Sequence, residues 1–416
     1  MLHSSLRAPV ASIAWEPRLA QRTAGMKSSI IRELLKLTQQ PDIISFGGGL
    51  PAPELFPVKE IEAACQRVLE TNGARALQYG TTEGEMGLRS WLAEWMSRPD
   101  LTVEPDNVLI TNGSQQALDL IGKLFVETDS CVMTSEPTYL GALQAWNVYE
   151  ACYATIPQDD DGILVEEIPR RLAEGLQPRL VYVLPNFHNP AGTTMPLARR
   201  LRLVEIAREH DLILVEDDPY GELRFEGEEI THLYRLAPER TIYLSTFSKI
   251  LAPGFRLGSI TAPKEIVRKF VQAKQGSDLN TAVFSQLVVA DVCESGLIPR
   301  HVQTIRRVYR ERRDAMLAAM EEYWPEGCSW TRPSGGLFLW ARVPEPLNTT
   351  EMLPRAVARK VAYVPGVAFY PGEKGGFNAM RLNFSYAGVP DIQEGIRRLG
   401  EVFKAALAGS VVAVAR

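Results

Sequence analysis

Between about Val108 and Thr261 the chain repeats one unit: a short apolar run, a junction bearing Gly, Pro or Asn, then a stretch with helical spacing. Val108-Leu-Ile, Leu180-Val-Tyr-Val-Leu and Leu212-Ile-Leu-Val show no polar alternation. Continuous apolar runs mark strands buried on both faces of a parallel sheet, which only flanking helices can cover. Leu197 to Glu209 and Lys264 to Lys274 supply helical patterns. The repeat therefore predicts an α/β fold: a large domain with a mostly parallel sheet and helices on both faces. A length of 416 residues exceeds one typical domain. A long helix is expected from about Ser295 through Tyr323, then a hairpin-like element from Ser329 to Val343 around Gly335-Gly336. The expected division is an N-terminal arm and joining segment (1–57), a large domain (58–295) and a smaller α+β domain (296–416).

Chemistry gathers where the apolar runs end. Ser245-Thr-Phe-Ser-Lys249 closes a strand-like run, and Arg256 follows seven residues after the lysine. A lysine at such a junction can be held partly desolvated, which favours the neutral amine needed for a Schiff base. Thr246, Ser248 and Arg256 are suitable donors to a phosphate dianion. Glu216-Asp217-Asp218 end the Leu212 run, at the edge where α/β sheets bind ligands. A buried carboxylate there is a partner for a protonated pyridine nitrogen. Asn189, in Asn-Pro-Ala-Gly, and Tyr220 can both donate to a phenolate oxygen. In Asn112-Gly113-Ser114-Gln115, Gly113 allows a tight turn and Ser114 can cap the next helix, whose first N–H groups face an anion.

Read singly, each segment also fits something ordinary: a surface loop at Lys249, a magnesium site or solvated turn at Glu216-Asp217-Asp218, an Asn-Pro turn, a capped helix. Tyr139 could merely open a helix, and Arg381 could sit on the polar face of the Met380-Arg-Leu-Asn-Phe-Ser385 strand. Order and spacing carry the stronger reading. The series Gly113-Ser-Gln, Tyr139, Asn189-Pro-x-Gly, Asp217-x-x-Tyr220, Ser248-Lys249, Arg256 and Arg381 resembles the fold type I aminotransferases of class I/II. Phe46-Gly-Gly-Gly49-Leu-Pro-Ala-Pro, Gln78-Tyr79-Gly80 and the Arg381 strand are similar to the alpha-aminoadipate/kynurenine aminotransferase branch. The likeness runs from roughly Arg22 to the end.

The resemblance implies pyridoxal 5′-phosphate as cofactor and a ping-pong exchange of an amino group between an L-amino acid and a 2-oxo acid. Glutamate with 2-oxoglutarate, and 2-aminoadipate, aromatic or branched-chain donors, are the expected substrates. It implies that Lys249 forms the Schiff base and moves the proton, Asp217 pairs with the ring nitrogen, and Asn189 and Tyr220 bond the ring oxygen. Tyr139 would stack on the ring; Ser114, Gln115, Thr246, Ser248 and Arg256 would hold the phosphate. Arg381 would grip the substrate α-carboxylate, with Asn189 and Gly49 close by. Tyr79 would come from the partner subunit of a homodimer with shared active sites. Arg32, on a helix-patterned stretch, would meet a distal carboxylate or else pair on the surface. The chain departs from the family at His188 (often Gln), Ala191 (often Thr) and Thr246 (often Ser). The first two put substrate preference, not cofactor binding, in question.

Bulk properties bound the rest. A net charge of −5 gives no electrostatic reason for nucleic-acid binding. No Walker loop or G-x-G-x-x-G supports a nucleotide site. Five widely spaced cysteines (65, 131, 152, 293, 328) without C-x-x-C argue for reduced, mostly buried thiols in a cytoplasmic protein and against zinc or a disulfide frame. No segment is apolar for long enough to span a bilayer, and no metal is expected. The basic run Arg306 to Arg313 reads as a solvated helix face or a subunit contact, and Ser410 to Arg416 as an apolar tail. Two other functions share the motifs: a β-eliminating lyase or synthase, and a non-catalytic regulator that binds the cofactor.

Overall fold

The structure, a computed structural model, describes residues 13–26 and 42–414. Arg32 lies outside the described residues. In chain order, β1 (Ile44–Ser45) precedes β2 (Val108–Thr111), β3 (Cys131–Glu136), β4 (Cys152–Asp159) and β5 (Gly162–Ile163). β6 (Pro178–Val183), β7 (Leu214–Asp217), β8 (Thr241–Thr246) and β9 (Gly258–Thr261) complete an eight-stranded sheet, ordered β2-β9-β8-β7-β6-β3-β4-β5. From β8 to β4 every pair is parallel. β9 is antiparallel to both β8 and β2, and the short β5 is antiparallel to β4. Eleven residues, 247–257, join β8 to β9, too few for a crossover helix: the turn carrying Lys249, a 3-10 turn at Pro253–Phe255, then Arg256 at φ 53°. So short a link returns the chain alongside itself, as an antiparallel neighbour.

Strand alternation explains why both faces are covered. Leu180, Tyr182 and Leu184 pack with Leu118, Ile121, Trp146 and Phe270 on one side. Val181 and Val183 pack with Ile168, Leu203 and Ile206 on the other. In β7, Val215 joins the first layer and Leu214 the second. By the same period of two, Asp217 belongs to the side of Val215, and Glu216 to that of Leu214. The apolar run at 212–215 placed this strand two residues early, because the ladder continues to Asp217.

Further along come β10 (Ser329–Trp330), β11 (Phe338–Arg342), β12 (Val361–Ala362), β13 (Val364–Pro365) and β14 (Ala379–Asn383). β10, β11, β14 and β13 form an antiparallel sheet covered by the helices Leu297–Tyr323 and Val389–Val414. β1 pairs in parallel with β12. The Asn383 N–H donates to Phe46 O at 2.9 Å, so the 44–50 segment runs along this sheet.

Two expectations need correction. Arg312 and Arg313 are buried, not a solvated face. Arg312 donates to Ser385 O and pairs with Glu54, while Arg313 donates to Pro333 O at 2.7 Å and pairs with Glu226. The apolar tail is helical through Val414 rather than a separate segment. All five cysteines are free; Cys131 and Cys293 are buried and Cys152 is exposed. Among the described residues no helix is long and apolar enough to cross a membrane.

Candidate active site

The crevice opens at the carboxyl ends of β6, β7 and β8, facing the 44–50 segment and β14. β8 runs out at Thr246, and the next turn carries Ser248 and Lys249. The Thr246 hydroxyl accepts the Ser248 N–H at 3.1 Å and donates to Leu257 O at 3.1 Å. Arg256 Nη1 lies 3.4 Å from Ser248 Oγ. A Cβ on Gly113 would stand 2.6 Å from Arg256 Nη2, and one on Gly258 would stand 2.9 Å from Ser114 N. Only glycines let the guanidinium and β9 approach the start of the helix Gly113–Phe125 so closely. No side chain caps that helix, so its first N–H groups are available to an anion.

Two details differ from expectation. Asn112, not Ser114, is the cap residue, and Ser114 Oγ instead donates to Ser245 O at 3.3 Å. The Gln115 side chain donates to Gly141 O at 3.0 Å, which leaves its backbone N–H for the anion.

Lys249 Nζ donates to Gly49 O at 2.7 Å. Burial, with the Arg381 and Arg256 charges adding to it, pulls its pKa down to about 8. Asp217 is buried and raised to about 7, burial outweighing the lowering hydrogen bond from Tyr182, with nearby Asp218 adding to the rise. The Tyr182 hydroxyl donates to Asp217 Oδ2 at 2.7 Å, while Oδ1 has no partner. Asn189 Nδ2 lies 3.2 Å from the Tyr220 hydroxyl. Tyr220 stands edge-on to Phe338, with ring centroids 5.8 Å apart. The Tyr139 ring folds back over Gly141, where a Cβ would lie within 2.6 Å of it; burial lifts its phenol to about 12.

Arg381 is not on a solvated strand face: it is 1% exposed. Its Nη1 donates to Asn189 Oδ1 at 2.9 Å and its Nη2 to Gly47 O at 2.8 Å, while Nε has no partner. The guanidinium lies 4.2 Å from the Phe338 ring centroid and 5.1 Å from that of Phe369. Burial lowers its pKa to about 10, so it stays charged at neutral pH. The structure thus gathers Gly49, Asn189, Asp217, Tyr220, Lys249 and Arg381 into one crevice, beside the Ser114–Thr246–Ser248–Arg256 cup. Tyr79 is 78% exposed.

Sequence reading missed Tyr182, although a lone tyrosine in an apolar run carries a polar tip that must find a partner when buried. It also missed what His188 does. His188 Nδ1 accepts the Ala191 N–H at 3.2 Å, so Nε2 carries the proton and donates to Ser135 Oγ at 2.9 Å. Ser135 Oγ in turn donates to Pro137 O at 2.8 Å. This chain fastens the Asn189 loop to the loop that carries Tyr139, and burial lowers His188 to about 3, keeping it neutral.

Among the described residues no group of three or more His, Cys, Asp or Glu side chains could hold a metal ion. Both Glu216 oxygens accept backbone N–H groups, from Leu233 at 3.0 Å and Tyr234 at 2.8 Å. His232 lies 3.3 Å from Asp218. Burial alone would lower its pKa, but Glu216 and Asp218 raise it to about 9.

The donor set fits pyridoxal phosphate. An unpartnered buried carboxylate oxygen suits a pyridine N–H, a uncapped helix start and arginine suit a phosphate, and a lysine of lowered pKa suits a carbonyl.

Comparison with known proteins agrees. The family model "Aminotransferase class I and II" matches residues 41–394. The aromatic-amino-acid aminotransferase 1 of Thermococcus litoralis is 48% identical, over 97% of each chain. The kynurenine aminotransferase of Pyrococcus horikoshii, solved with PMP, superposes with TM-score 0.90 at 46% identity, covering 94% of this chain and 98% of that one. The alpha-aminoadipate aminotransferase of Thermus thermophilus, complexed with N-(5′-phosphopyridoxyl)-L-leucine, superposes with TM-score 0.89 at 40% identity, covering 95% and 100%. These relatives give no support to the lyase reading. The chain belongs to the class I and II aminotransferases: it is a fold type I enzyme that transaminates with pyridoxal 5′-phosphate.

Proposed function

We propose that this enzyme passes an amino group between an L-amino acid and a 2-oxo acid with Lys249 as its working base. When bound, pyridoxal phosphate supplies the sink for electrons released from the substrate Cα–H bond. Lys249 holds the cofactor until substrate arrives, then carries the proton at its Nζ. Asp217 Oδ1 holds the ring-nitrogen proton. Asn189 and Tyr220 fix the ring oxygen, Tyr139 covers the ring, and Ser114, Gln115 (through its N–H), Thr246, Ser248 and Arg256 retain the phosphate. Arg381, with Asn189 and Gly49 beside it, orients the α-carboxylate; its burial without a carboxylate partner among the described residues is the observation that carries this reading.

The substrate class we propose is broad: glutamate and 2-oxoglutarate as one pair, with 2-aminoadipate, aromatic or branched-chain donors as the other side. The names of the relatives support the aminoadipate and aromatic members. Arg32 is the proposed reader of a distal carboxylate. A homodimer is proposed in which exposed Tyr79 serves the neighbouring crevice, and the five free thiols support a cytoplasmic setting. The division into an arm and joining segment (1–57), a large cofactor domain (58–295) and a small domain (296–416) is supported by the two separate sheets and by the β1–β12 pairing.

A visible spectrum of the holoenzyme tests this. Glutamate should convert the band of the bound cofactor to that of its amine form, and 2-oxoglutarate should restore it. Lys249→Ala should lose the starting band and at least about a thousandfold in turnover while keeping its circular dichroism. Full activity in that variant would refute the mechanism.

A further inference from the structure

Outside the crevice, a cavity of about 490 Å³ opens between the loop that follows Tyr220 and the helix Leu297–Tyr323. Four arginines line it: Arg224 from the loop, and Arg306, Arg307 and Arg310 from one face of the helix. Of the lining carboxylates, Glu229 faces Arg98 outside the cleft, whereas Glu222 faces Arg306, whose Nε also donates to Glu222 O at 2.6 Å. Glu222 Oε2 lies 3.5 Å from Arg306, and Glu229 Oε1 lies 3.5 Å from Arg98. Arg310 reaches Glu226 only at 3.6 Å. Arg224 and Arg307 have no carboxylate within ion-pair distance among the described residues. Arg224 is held instead against Phe187, with its Cζ 4.8 Å from the ring centroid. Half-buried there, it has a lowered pKa: burial comes first, and the Arg200 and Arg306 charges add to it while Asp218 and Glu229 oppose it.

We propose that this cleft binds a small polyanion bearing two or more phosphate or carboxylate groups, bridging Arg224 on the loop and Arg307 on the helix. Guanidinium forks from two elements can take such groups bidentately, and the volume suits a small metabolite. None of the cleft's lining residues belongs to the cofactor crevice, so the two sites can fill independently. They do share a wall. Asn186 lines the cleft and Phe187 lies under Arg224, three and two residues ahead of Asn189 respectively.

Calorimetric titration of the holoenzyme at fixed ionic strength, with inorganic pyrophosphate in one arm and citrate in the other, tests the assignment. Saturable binding is expected in at least one arm, weakened about tenfold or more by Arg307→Gln and lost in the Arg224→Gln/Arg307→Gln double variant. Arg307 is exposed, so its variant should fold, and an unchanged cofactor spectrum would verify this. Pyrophosphate alone binding identifies a phosphate ligand; citrate alone, a polycarboxylate; both, recognition by charge. No saturable binding in either arm, or binding that survives in both variants as a catalytic-site ligand would, overturns the proposal.

Discussion

Among the described residues two arginines are fully buried, one behind the strand ends and one in the crevice before them, and they are used in opposite ways. Arg200, in the rear pocket, spends its donors on protein. Nε donates to Met195 O at 2.9 Å, Nη1 to Ile230 O and Thr231 O, and Nη2 to Pro185 O and Asn186 Oδ1. Arg381, in the front crevice, makes two such bonds and leaves Nε idle between two aromatic rings. The neighbouring carboxylates repeat the contrast. Glu216 at the rear has both oxygens occupied, while Asp217 at the front has one free. A satisfied buried charge holds a fold together; an incompletely satisfied one is kept for a ligand.

Exchanging the two arginines for leucine should separate these uses most sharply. Arg381→Leu should lower kcat/KM by about two to three orders of magnitude, the worth of a charged bidentate contact, with little change in Tm. Arg200→Leu should cost about 3–5 kcal/mol of stability by orphaning several carbonyls and nearby carboxylates, while the folded fraction still turns over. Equal losses of Tm in both would break the comparison. Asp217→Asn should then reduce turnover by about a hundredfold, with Glu216→Gln felt in denaturant midpoint instead. Tyr182→Phe removes one hydrogen bond to Asp217 and should cost about tenfold in turnover, read alongside the pH dependence of the cofactor's absorbance. The smallest effect belongs to the rear histidine. Because His232 is raised to about 9, its pairing with Glu216 and Asp218 contributes fully below about pH 6.5, its ordinary value. That contribution is lost as pH rises through 9. Melting curves from pH 6 to 10 should show the decline, and His232→Gln should flatten it.

Local pattern carried much of this molecule. The helix Leu197–Glu209 has the bounds its spacing predicts, because helical periodicity is written within the segment itself. Asp217 and Lys249 were legible because they lie where apolar runs end, whereas Arg381, inside β14, was legible only through the family resemblance. What stayed hidden depends on partners far away in sequence. Arg312 and Arg313 look like any basic helix face until Ser385 O and Pro333 O are brought beside them. The antiparallel course of β9 is set by the Pro253–Phe255 turn, and no apolar run can report direction. Ser114 had the chemistry of a cap but not the position, since the helix starts at Gly113. His188 differs from the family's usual residue, and only the proximity of Ser135 and Ala191 shows its fastening role.

The phosphate cup joins residues about 140 positions apart, the Gly113 turn after β2 and Arg256 before β9, and β9 lies between β2 and β8. A chain that leaves β9 unseated has the donors but no cup. Phosphate retention therefore depends on a long-range strand pairing, the slow kind of contact to form. The cofactor's binding free energy then stabilises the correctly ordered sheet alone, by RT ln(1 + [L]/Kd), and leaves a misordered one without that gain. Cofactor binding would thus favour the chain whose strands have been laid in the right sequence.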